Sequence, residues 1–172
     1  PIINGDSTGS VTEDASLVAH GQLTITDPDT GESSFQAVTG LTGLYGSLDI
    51  DSSGSWTYTV DNNLDAVQSL AAGEVLPDSI DVTSYDGTVQ TVEITITGTN
   101  DGPIVLDTVS LLATEDTALT ITEAQLLEYA TDIDGDDLHV ENLRVREGFE
   151  HDGTLFDNGD DTWTFSPAGD FS

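Results

Sequence analysis

Apolar and polar residues alternate along much of this chain with a period of two, the spacing of a strand that buries one face. Leu23 and Ile25 alternate with Thr24 and Thr26; Trp56, Tyr58 and Val60 alternate with Thr57 and Thr59. Val92, Ile94 and Ile96 do the same with Glu93, Thr95 and Thr97. Turn residues separate these runs. Asp51-Ser52-Ser53-Gly54 predicts a hairpin between Leu48/Ile50 and Trp56/Tyr58, and Asp86-Gly87 one that joins residues 80–84 to Val89–Thr97. Asp157-Asn158-Gly159-Asp160 is the counterpart of the first of these. Helical spacing is confined to two patches. Leu64, Val67 and Leu70 recur three apart, and Thr122-Glu123-Ala124-Gln125 has the form of a capping box ahead of Leu126 and Leu127. Roughly seven short strands per hundred residues, with frequent turns, predict an all-β immunoglobulin- or cadherin-like Greek-key sandwich.

The pattern then repeats. Pro1-Ile2-Ile3 realigns with Pro103-Ile104-Val105, and Thr12-Glu13-Asp14 with Thr114-Glu115-Asp116, both at an offset of 102 residues. Asp27-Pro28-Asp29 answers Asp132-Ile133-Asp134 at 105, and Trp56-Thr57-Tyr58 answers Trp163-Thr164-Phe165 at 107, a drift that small loop insertions produce. So long a period denotes tandem domains with a core each, not solenoid units. We expect domains at 1–101 and 102–172. The linker is Thr99-Asn100-Asp101-Gly102-Pro103, where Pro103 fixes the entering backbone. After its tryptophan strand the first copy continues for about forty residues, through two more strands; the second stops at Ser172. The second sandwich is therefore expected to be C-terminally incomplete, with exposed edges. The start at Pro1, in phase with the repeat, reads as an interior piece of a longer chain.

Charge changes the picture. Asp and Glu number 33 against two basic residues, Arg144 and Arg146, for a net charge of −31. Such a field excludes direct binding to nucleic acid or to an anionic membrane face. With 36% apolar and 6% aromatic residues the composition leans towards disorder. The regular alternation argues instead for a fold whose order depends on bound cations, although solubility or salt adaptation also accounts for the acidity. There is no cysteine, hence no disulfide or thiolate site, and no apolar run that spans a bilayer.

Calcium takes six to eight oxygen ligands, and the acids can be placed by following the strands up and down the sandwich. Glu13-Asp14 falls at one end, and the strand at 23–26 delivers Asp27-Pro28-Asp29 to the other. Asp61 ends the tryptophan strand at the first end, Asp86 tops a hairpin at the second, and the last strand exits into Asn100-Asp101. In the second copy the same path puts Asp132-Ile133-Asp134-Gly135-Asp136-Asp137 at the end towards the linker. Glu13, Asp61, Asn100, Asp101, Asp132 and Asp134 are thus expected to converge, with Asp136 in the same loop. Asp27, Asp29 and Asp86 form half of a further site. A solvated acidic turn is the competing reading of the Asp132 loop, and an EF-hand is disfavoured because Asp137 and Leu143 stand where its glycine and glutamate belong.

These residues carry a resemblance. Thr12-Glu13-Asp14, the Asp-x-Asp pairs, Val82-Thr83-Ser84-Tyr85-Asp86-Gly87 and Thr99-Asn100-Asp101-Gly102-Pro103 resemble a bacterial cadherin-like repeat. Gly9-Ser10-Val11-Thr12-Glu13-Asp14, Gly54-Ser55-Trp56-Thr57-Tyr58 and Leu64-Asp65-Ala66-Val67-Gln68-Ser69-Leu70 are similar to the VCBS repeats of repeats-in-toxin (RTX) adhesins. The resemblance implies a secreted protein of a Gram-negative cell surface, a calcium-stiffened rod for adhesion or biofilm formation. It implies Ca2+ ligation by Glu13, Asp61, Asn100, Asp101, Asp132 and Asp134. The partners implied are adjacent modules of the same long chain and a host or biofilm ligand at a distal domain. Asn62-Asn63 after Asp61 departs from the cadherin pattern, as does the short acidic run of the linker.

An enzyme finds little support. His20, His139 and His151 share no metal spacing, and no serine or cysteine stands in a nucleophile motif. The paired acids sit in turns, not in an aromatic cleft. Trp56 and Trp163, at one repeat position, read as core rather than as sugar platforms. Arg144 and Arg146 are expected to alternate on a strand and to pair with acids. The alternative function is a sandwich that itself recognises glycan or protein.

Overall fold

The computed structural model describes residues 1–29, 31–149 and 152–169. Contacts divide the chain into two compact units, Pro1–Asp101 and Gly102–Ser172. In the first, β1 (Ile2–Gly5), β3 (Val18–Thr26), β6 (Ser55–Val60), β5 (Gly46–Ile50) and β4 (Val38–Thr42) form one sheet in the order β1-β3-β6-β5-β4. β2 (Thr8–Thr12), β8 (Val89–Thr97) and β7 (Val75–Thr83) form the other, in the order β2-β8-β7. Pairing is antiparallel except between β2 and β8, which run parallel from Thr8↔Glu93 to Thr12↔Thr97. The chain therefore crosses between sheets at Asp6-Ser7, after Gly5 at φ 104°. A short helix, α1 (Asp65–Gln68), follows β6; its Val67, and Leu70 just beyond it, are buried in the core.

The alternation is what builds the interior. Leu23, Leu48, Trp56 and Tyr58 from one sheet meet Ile80, Val82, Val92, Ile94 and Ile96 from the other, each at most 4% exposed. Each such aliphatic side chain contributes about 1.5–3 kcal/mol by leaving water. Trp56 lies flat where Gly21 leaves room: a Cβ there would stand 2.3 Å from the indole. Its Nε1–H donates to Asp6 O at 2.7 Å, which pins the crossover. A charge is also buried. Asp78 of β7, 3% exposed, accepts hydrogen bonds from Leu44 N–H at 2.9 Å, Tyr45 N–H at 3.1 Å and the Tyr58 hydroxyl at 2.8 Å. It thereby ties the β4–β5 turn and both sheets together, a role no motif announces.

The second unit contains β9 (Ile104–Val105), β10 (Leu119–Thr122), α2 (Glu123–Leu126), β11 (Ala130–Thr131), β12 (Gly153–Asp157) and β13 (Thr162–Pro167). Its sheets run β10-β13-β12 and β11-β9. The expected capping box is present: Gln125 N–H donates to Thr122 Oγ1 at 3.3 Å and Thr122 N–H to Gln125 Oε1 at 2.9 Å. Strand register defines the repeat better than sequence spacing does. Tyr58 pairs with Ala19 and Leu48, and Phe165 pairs with Leu119 and Leu155. The β1–β3 pair Ile2↔Thr26 has its counterpart in Ile104↔Thr131. The single strand β3 thus becomes β10 and β11 in the second unit, with α2 inserted between them; the insertion takes the offset from 100 at Ala19/Leu119 to 105 at Thr26/Thr131, and the rise to 107 at Tyr58/Phe165 comes later in the chain. Trp163 is 5% exposed and is the buried apolar side chain of this unit among the described residues.

The arginines correct one expectation. Arg144 and Arg146 lie outside the strands, and among the described residues neither forms an ion pair. Arg146 instead lies over the Phe149 ring, 5.7 Å from its centroid, where a guanidinium gains from the ring face without ordering a second long side chain. His151 falls outside the described residues. His20 Nδ1 lies 3.0 Å from Thr57 Oγ1, and His139 Nδ1 lies 3.6 Å from Glu123 Oε1.

Candidate metal-binding sites

Among the described residues, three acidic groups draw together in two places. In the first unit these are Asp27, Asp29 and Glu32, each offering a carboxylate oxygen within 4.8 Å of the others. The loop that follows β3 makes the cluster by folding on itself, since Asp29 N–H donates to Asp27 Oδ1 at 2.8 Å. Asp86 shares this end of the sandwich, where Tyr85 N–H donates to Ser34 O at 2.8 Å. The Ser84 hydroxyl donates to its carboxylate and holds its pKa below the ordinary value, helped by Thr88 N–H at 3.2 Å. Glu32 was not foreseen; the spacing Asp27-x-Asp29-x-x-Glu32 is the signal that points to it.

In the second unit Asp132, Asp134 and Asp136 meet the same criterion. Asp132 Oδ1 accepts from Asp134 N–H at 3.0 Å and Asp136 N–H at 3.4 Å, with Gly135 at φ 79° turning the chain between them. Alternate carboxylates of one loop thus face a common point. The Asp-x-Asp pair recurs at the same place after β3 and after β11, where a strand end halts and a tight turn must begin.

The other end of the first unit is arranged differently. Glu13 is completely buried; its Oε1 accepts from Thr99 N–H at 2.8 Å, and its own N–H donates to Thr97 O at 3.1 Å. It binds the β2 turn to the departing linker. Asp14, at φ 53°, accepts from Asn62 Nδ2 at 2.5 Å and Gln68 Nε2 at 3.2 Å. Those bonds, Asn62 first, hold its carboxyl below the usual range, with Asp101 adding to the effect. Asp61 is exposed and caps Asn63 N–H at 3.1 Å. Asn100 Nδ2 donates to Asp101 O at 2.6 Å. Glu13, Asp61, Asn100 and Asp101 share this end, but no three acidic groups there approach as closely as in the Asp27 cluster, among the described residues. The Thr-Glu-Asp turn is repeated in backbone shape: Asp116 has φ 56°. Its glutamate is not repeated in environment, because Glu115 is exposed.

Every donor in these clusters is a hard carboxylate oxygen, and no histidine or cysteine joins them. That donor set suits calcium, and does not suit zinc or copper. The fold and the acid-rich ends define a tandem β-sandwich module of the cadherin type. Residues 1–98 match the model of the bacterial cadherin-like domain, and residues 99–172 match that of the cadherin-like domain. The chain belongs to the bacterial cadherin-like domain family. Such domains are typically structural or adhesion modules, not enzymes, and generally bind calcium. No curated protein matches the chain. Among the described residues no helix is long and apolar enough to cross a membrane.

Proposed function

We propose that the chain is a calcium-stiffened extender of a bacterial surface adhesin of the RTX type, built from VCBS-like repeats and supporting attachment or biofilm formation. The observation that carries this reading is the pair of three-carboxylate clusters at equivalent loops of the two units. Asp27, Asp29 and Glu32, with Asp86, would hold one ion; Asp132, Asp134 and Asp136 another; Glu13, Asp61, Asn100 and Asp101 would contribute at the linker. Calcium, when bound, neutralises the clustered carboxylates and coordinates their oxygens. The protein's part is to hold these acids ready through the Asp27 and Asp132 turns, and to tether the linker through Glu13 and Thr99. Its role would be played on the cell surface, beside adjacent modules of the same chain.

Isothermal calorimetry with calcium, melting curves with and without chelator, and small-angle scattering test the proposal together. We expect saturable binding lost in Asp27→Asn with Asp29→Asn, and in Asp132→Asn with Asp134→Asn. At a hundredfold excess over Kd each ion adds about 2.7 kcal/mol of stability. Chelation should lower Tm and broaden the scattering-derived distance distribution. Unchanged melting and scattering in chelator would refute the reading. A glycan array should give no hits; a hit would favour direct ligand recognition.

A further inference from the structure

The topology of the first unit sets the direction in which a pull on the chain would load its hydrogen bonds. The chain enters β2 at Thr8 and leaves β8 at Thr97. The two strands are parallel, with Thr8 opposite Glu93 and Thr12 opposite Thr97, so entry and exit lie at opposite ends of one ladder. Tension across the unit therefore slides β2 along β8 and strains all the bonds between them together. Antiparallel strands would bring entry and exit to one end, where the bonds open one after another. The ladder also runs past both ends of β2. Glu93 N–H donates to Ser7 O at 2.9 Å, and Glu13 N–H to Thr97 O at 3.1 Å. Thr12 N–H turns away to Ser16 O at 2.9 Å, a phase that directs Gly9 and Val11 N–H at β8. Val11, Ile94 and Ile96, each at most 2% exposed, keep water from the inner side of these bonds.

We propose that the parallel β2–β8 pair is the force-carrying seam of the first unit, a tension-resisting function separate from calcium stiffening. It rests on the extender reading in one respect, that neighbouring modules supply the pull; the seam itself is a property of this unit. Two anchors keep the pull in line with β2. At the crossover ahead of it, Asp6 N–H donates to Gln22 O at 2.9 Å and Gln22 N–H to Asp6 Oδ2 at 3.1 Å. Trp56 Nε1–H adds its bond to Asp6 O at 2.7 Å. Drawing β1 off β3 leaves these bonds in place, so β2 stays registered on β8. At the far end, the Glu13 carboxylate accepts from Thr99 N–H at 2.8 Å. That is one more bond that must break before β8 can slide.

The chain has no cysteine, so a single introduced one is a unique handle for optical tweezers. The whole chain, as Pro1→Cys or as Ala15→Cys, is pulled at one loading rate and one calcium concentration against a second handle at its C-terminus. The first geometry shears β2 along β8. The second pulls from the turn after β2, at the ladder end where β8 leaves, and pries the bonds apart in sequence. Unfolding of the first unit is recognised by a length gain of about 30 nm, shorter by about 5 nm from Ala15→Cys. We expect the sheared unit to unfold at a force at least about twofold higher, because several bonds must rupture at once. Ala15 is exposed, and equal guanidinium midpoints for the two proteins show that direction alone differs. Ser16→Cys, also at an exposed position, takes its place if the midpoints disagree. Equal forces, or the higher force from the pried geometry, would overturn the proposal. So would a first step of about 4 nm in the sheared protein, the release of residues 1–12 ahead of the rest. Calcium is the same in both geometries, so those results sink the seam alone; the extender reading falls instead on melting and scattering that ignore chelator.

Discussion

Replacing Asp78 by alanine removes the acceptor of three hydrogen bonds that cross from one sheet of the first unit to the other. Tyr58 is 0% exposed, so its hydroxyl would be left buried without an acceptor, at a cost of about 1–3 kcal/mol. Leu44 and Tyr45 sit at a turn, and their amides can recover part of their bonding from water, so about 0.5–1 kcal/mol each is reasonable. The expected loss is about 3 kcal/mol, or at least about 12 °C in Tm for a domain of this size. Tyr58→Phe should cost less, about 1.5–2 kcal/mol, because Asp78 retains its backbone donors. The two changes should couple strongly in a double-mutant cycle, since they remove the same bond. Guanidinium unfolding in a Trp163→Phe background reads the first unit alone, as Trp56 is then the single tryptophan. A loss below about 1 kcal/mol for Asp78→Ala, or strict additivity with Tyr58→Phe, would show that the carboxylate is solvated and not a clasp.

The same hydroxyl makes stability sensitive to alkali. Burial first, then Asp78, raises the Tyr58 pKa above its ordinary value of 10.0. The unfolded chain ionises near that pH while the folded one stays neutral, so the contribution is complete below pH 10 and is lost as pH rises beyond it. Denaturation midpoints between pH 9 and about 11.5 should fall in the wild type more steeply than in Tyr58→Phe; parallel curves would remove Tyr58 as the cause. Glu13→Ala should free the linker, costing about 1–3 kcal/mol through Thr99 N–H and exposing residues 99–103 to protease. Limited proteolysis that cuts wild type and variant at equal rates would argue against that tether.

Much of the strand plan was legible because burial of one face imposes a period of two. Leu48/Ile50, Trp56/Tyr58 and Val92/Ile94/Ile96 lie inside, as their alternation with polar residues requires. Asp51-Ser52-Ser53-Gly54 and Asp86-Gly87 turn where expected, Gly54 and Gly87 having φ 89° and 92°. The capping box was legible for a similar reason, since its partners lie three residues apart and need nothing beyond local chain. Arg144 and Arg146 were misread because alternation alone does not show whether a neighbouring strand is there to pair with.

Local sequence, then, determined the all-β class, the tandem repeat and the acid-rich turns, since period, turn chemistry and charge act over a few residues. Tertiary structure alone decided which acids are neighbours and which are buried. Glu13 is sealed beneath the exit of β8 while its repeat partner Glu115 is exposed, although both stand in the same Thr-Glu-Asp turn. Asp78 became a buried clasp because contacts between strands and loops distant in sequence set the surroundings of its carboxylate. Short-range patterns carry no record of those contacts.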